Sequence, residues 1–74
     1  MRETKHKIIR NRGHKQALIT YARDTRERII NNAVYFCSEL FYVEWLYENN
    51  KINMVELNYL RQRIFRAEVE RVHL

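Results

Sequence analysis

Four residues of this sequence have side chains suited to soft metals: His6, His14, Cys37 and His73. A zinc site wants three or four ligands, and no C-x-x-C or H-x-x-x-H spacing gathers these. No metal site is expected, and Cys37 reads as a small core residue. Glu44 and Glu48 stand one helical turn apart, but no Glu-x-x-His accompanies them, so a di-iron bundle is unsupported. Ser38 has no histidine placed by a motif to activate it. The single glycine cannot build a phosphate-cradling loop. A 74-residue helical chain also offers little concavity for a preorganised pocket. The expectation is a non-enzymatic protein with no cofactor.

The remaining chemistry belongs to the arginines, which make up ten of the 14 cations. Their guanidinium forks grip phosphate or carboxylate and stack on flat groups. The formal charge of +5 is unevenly spread. Residues 1–28 carry nine cations against Glu3, Asp24 and Glu27. Residues 29–60 carry only Lys51 against Glu39, Glu44, Glu48 and Glu56. Residues 61–74 carry four arginines against Glu68 and Glu70. A basic head, an acidic middle and a mildly basic tail result. A concentrated positive region attracts polyanions, and each phosphate neutralised releases counterions. The expected nucleic-acid contacts are Arg10, Arg12, Lys15, Arg23, Arg26, Arg28 and Arg71. No zinc-finger, RNP or compact helix-turn-helix pattern is present, so such contact would be backbone-led.

These side chains must be carried by helices. Zero prolines and one glycine argue against a turn-rich β fold. Residues 1–13 lack sustained periodicity and read as a basic arm ending at Gly13. Residues 14–74 read as one all-α domain. Apolar residues recur three or four apart from Leu18 through Tyr47. Asp24 and Glu27 have capping-box spacing, which predicts a short helix over about 14–23 and a long one over about 25–48. One continuous helix is the alternative. Asn49 and Asn50 tolerate left-handed angles and end the long helix. Asn53 and Glu56 repeat the capping pattern and open a third helix, about 54–72. The short connection predicts that the second and third helices form an antiparallel αα-hairpin. Arg23, Arg26, Arg28, Arg66 and Arg71 would then gather at its open end as a positive pole.

The long helix is apolar on two sides. Ile29, Ala33, Phe36, Leu40, Val43 and Tyr47 share one stripe. Ile30, Val34, Phe41 and Trp45 share another, flanked by Tyr35 and Tyr42. A helix that is apolar all round is buried all round, and 74 residues do not readily cover both stripes. Three outcomes are open. The first helix folds back over the second stripe; two hairpins pair as a homodimer; or another protein is captured. The homodimer is the leading expectation, with Val34, Phe41, Tyr42 and Trp45 at the interface.

No apolar leader follows the basic N-terminus, no uncharged run approaches a membrane span, and one cysteine cannot form an intramolecular disulfide. A cytoplasmic protein with no membrane partner is expected. The leading functional expectation is a small regulatory or accessory protein binding nucleic acid through its basic pole. The alternative is a modulator or inhibitor that docks on a larger protein through the aromatic helix face, or on an acidic partner protein through the basic pole.

Overall fold

The computed structural model describes residues 12–74, with side chains from Lys15 onward. Among the described residues it contains three helices and no strand: α1 (Arg12–Asn31), α2 (Val34–Glu48) and α3 (Met54–Val72). The expected arm and Arg10 lie outside the described residues. Arg12 opens α1.

Each helix turns one narrow apolar seam inward. On α1 it runs through Leu18, Ala22, Thr25 and Ile29; on α2, through Phe36, Leu40, Val43 and Tyr47; on α3, through Leu57, Leu60, Ile64 and Ala67. Steps of three and four residues keep such a seam facing its neighbour along the whole helix. α3 packs against both other helices, and Ile52 closes the core from the connecting loop. Ile29, Val43, Leu60 and Ile64 are almost completely buried, and each contributes roughly 1.5–3 kcal/mol through its removal from water.

The first break in the chain is not at Asp24. Asp24 and Glu27 lie exposed within α1, and the helix runs on to Asn31. The expected long helix over 25–48 is therefore two helices, divided at Asn32–Ala33. Thr25 explains the continuity. It sits in the seam between Ala22 and Ile29 at 2% exposure, so burial in the core holds that turn helical. Asn32 explains the stop. Its side-chain carbonyl accepts the Val34 N–H at 3.1 Å, a local bond that competes with helix continuation.

The second break is built from the asparagines at 49–53. Asn50 adopts φ 61°, the left-handed conformation that asparagine tolerates better than most residues. Around it the Lys51 N–H bonds the Leu46 carbonyl and the Asn50 N–H bonds the Tyr47 carbonyl, a Schellman end. Asn53 then caps α3. Its side chain accepts the Glu56 N–H at 2.9 Å, and the Glu56 carboxylate accepts the Asn53 N–H at 2.7 Å. No helix among the described residues is long and apolar enough to cross a membrane.

Candidate functional site

Two surfaces carry the residues singled out in the sequence. The first is the outer face of α2. Val43 is the only fully buried residue of this helix, and the side opposite it faces water. Phe41 is 76% exposed, Val34 65%, Trp45 50% and Tyr42 48%. At 100° per residue, Val34, Ser38, Phe41, Trp45 and Glu48 form a second three-four stripe, half a turn round from the buried one. Cys37 borders this stripe and is exposed, which corrects its expected place in the core. Its position on the wheel, well away from Val43, is the reason.

The aromatic side chains here are ordered by one another. Tyr42 stacks on Trp45 with centroids 6.3 Å apart and planes within 10°. Tyr21 of α1 also meets Tyr42, with centroids 6.1 Å apart and planes tilted by 56°. Ser38, Phe41, Tyr42, Glu44, Trp45 and Glu48 together line a shallow open depression. α1 does not fold over this stripe. Its seam is committed to α3, and it reaches α2 mainly through Tyr21 and Arg28.

The second surface is cationic, and it is smaller than the sequence suggests. Arg26 makes a two-pronged ion pair with Glu70 of α3, at 2.9 and 2.7 Å. Arg71 grips Glu68 in the same way, at 2.9 and 2.6 Å. Arg28 donates to Glu39 at 3.1 Å and to the Thr25 hydroxyl at 3.2 Å. Hydrogen bonds from Arg26 and Arg71 hold the Glu70 and Glu68 carboxyls below the usual carboxylate range. Three of the expected phosphate contacts thus already hold carboxylates within the chain. Lys15 and Arg23 are exposed and make no ion pair among the described residues; with Ile19 between them they lie along one face of α1.

A polar node escaped the sequence reading. Tyr21 donates its hydroxyl to Glu39, which also accepts from Arg28, so two side chains of α1 converge on one carboxylate of α2. Glu39 is only 12% exposed. Burial, and then the bond to Glu39, push the Tyr21 hydroxyl well above the ordinary tyrosine range. Arg61 and Arg63 of α3 take no part in this node: Arg61 lies 4.0 Å from Glu44, and Arg63 lies over the Tyr59 ring. The available signal was Tyr21, one turn before the buried Thr25, in a segment otherwise rich in charge.

Among the described residues no group of three or more His, Cys, Asp or Glu side chains is placed to hold a metal ion. No protein-family model, no curated protein and no solved structure matches this chain.

Proposed function

We propose that this is a non-enzymatic accessory protein that works by association, with the outer face of α2 as its contact surface. The observation that carries this is the second apolar stripe. Val34, Phe41 and Trp45 stand in water although the inner seam of the same helix is packed. Patches of several hundred Å2 or so on small proteins mark interaction sites. Aromatic side chains ringed by polar groups are the usual energetic centre of such contacts. Glu44 and Glu48 at the border, and the stacked Tyr42, supply the polar and rigid components.

A second reading is contact with nucleic acid through α1. Lys15 and Arg23 support it, being exposed cations on one helix face that are not engaged by carboxylates among the described residues. Contacts of this kind are electrostatic and salt-dependent.

Affinity purification from the native host, with and without nuclease, separates the two. A protein recovered after nuclease treatment by the natural chain, and lost with Phe41→Asp, supports the α2 surface. Recovery of DNA or RNA that is lost with Lys15→Ala plus Arg23→Ala, and insensitive to Phe41→Asp, supports the second reading instead.

A further inference from the structure

We infer that the occupant of the α2 outer face is a second copy of this chain, docked with its own α2 antiparallel to the first. The inference rests on the α2 surface being the working one, and goes further by naming what covers it.

The stripe itself selects that arrangement. From the N-terminal to the C-terminal end it reads Val34, Ser38, Phe41, Trp45, Glu48. Small side chains stand at one end and large ones at the other. Two copies laid antiparallel put Phe41 over Ser38 of the second copy and Trp45 against its Val34. By the two-fold the same contacts recur on the other side. Large then faces small in every layer, the condition for interdigitated packing. Two copies laid parallel would stack Trp45 on Trp45 and Phe41 on Phe41, and leave Ser38 facing Ser38 across a gap.

Charge points the same way. The parallel arrangement sets Glu44 and Glu48 beside their own copies. The antiparallel one carries Glu48 to the N-terminal end of the second α2, where the helix dipole favours a negative charge and the first turn holds no acidic residue. The face is thus complementary to itself in one orientation and not in the other.

The area fits a weak assembly. Aromatic side chains offer about 150–250 Å2 each, so the exposed portions of Phe41, Trp45, Tyr42 and Val34 amount to roughly 400 Å2 per copy. Mutual covering of these side chains buries about 800 Å2 in total, below the 1,200 Å2 or so at which standard interfaces begin and in the range of weak, transient ones. The expected dimer exchanges with monomer as concentration changes.

The test uses the full chain. Sedimentation equilibrium is run from roughly 1 μM to 1 mM, the range in which weak complexes form, alongside nuclear Overhauser spectra at the upper end. Val34 and Trp45 are eleven residues apart on one helix, about 16 Å along the axis, too far for a cross-peak within one chain. The expected result is reversible dimerisation with cross-peaks between the Trp45 indole and the Val34 methyls. Phe41→Asp, with helicity unchanged by circular dichroism, weakens dimerisation at least tenfold. Ser38→Phe also weakens it, because the partner's Phe41 needs that space. A chain that stays monomeric throughout overturns the inference. So does a dimer without those cross-peaks, or one that Ser38→Phe tightens. If the monomeric chain still recovers a nuclease-resistant partner that Phe41→Asp loses, the α2 surface stands and only its occupant is wrong.

Discussion

Tyr21 on α1 and Glu39 on α2 are joined by a hydrogen bond across a connection of only two residues, Asn32 and Ala33. Arg28 binds the same carboxylate, so one acid that is only 12% exposed ties two side chains of α1 to α2. Tyr21→Phe removes one donor and leaves Glu39 desolvated with the other. The expected cost is about 1–2 kcal/mol, measured as a lower midpoint in urea.

The same tyrosine sets an alkaline limit. Its folded-state pKa is raised above the ordinary value of 10, so its contribution is complete below that pH and is lost as pH rises toward the folded value. Glu70 and Glu68 set the acid limit with the opposite sign. Their folded pKa values are lowered by Arg26 and Arg71, so their contribution is complete above about pH 4.3 and is lost as pH falls below it. Melting temperature against pH should therefore fall at both extremes. Glu70→Gln should flatten the acid side and Tyr21→Phe the alkaline side.

Core and outer face should separate cleanly on substitution. Ile64→Ala removes a side chain that is 1% exposed, at an expected cost of about 2–5 kcal/mol, which is enough to unfold a marginal domain of this length. Phe41→Ala removes one that is 76% exposed and should leave the denaturation midpoint of the dilute chain nearly unchanged. A large loss of stability from Phe41→Ala in dilute solution would contradict its place on the surface.

The 49–53 turn makes two further expectations. Asn53→Ala breaks the capping box and should cost about 1 kcal/mol. Asn50→Gly suits the left-handed backbone and should be close to neutral, whereas Asn50→Val should destabilise by about 1 kcal/mol or more. Thermal melts of the three variants check both.

Trp45 provides its own readout as the only tryptophan. At 50% exposure it should be readily quenched by acrylamide in dilute solution. Quenching should fall and emission should shift to shorter wavelength as the α2 face becomes covered.

The contrast between Asn53 and Asp24 shows what the sequence discloses. Both are followed by glutamate three residues on, but only Asn53 caps a helix. Asp24 looks the same locally. What differs is Thr25, whose 2% exposure comes from the packing of helices against one another, and no local pattern carries that. The all-helical class and the double-sided character of α2 were legible because they are matters of period. The arginine partners were not. Glu68 and Glu70 were visible as acids near basic neighbours in the sequence, but the pairing of Arg26 with Glu70 depends on which side of α3 receives α1. Phe41, Trp45 and Val34 were recognised as a surplus stripe; Cys37 was misplaced because small residues fit either side of a helix.

The ion pair between Arg26 and Glu70 also fixes an order of events. It spans 44 positions of the sequence, and the seam beneath it joins α1 to α3. Most small helical proteins assemble from neighbours in sequence, and so fold early and fast. Here α1 packs mostly on α3 and less on α2, which it meets through contacts such as Tyr21 with Tyr42. During synthesis Ala22 and Ile29 of α1 lack their main cover until α3 has been made. Its folding is an act of closure, and a chain interrupted within α3 should yield no stable fragment.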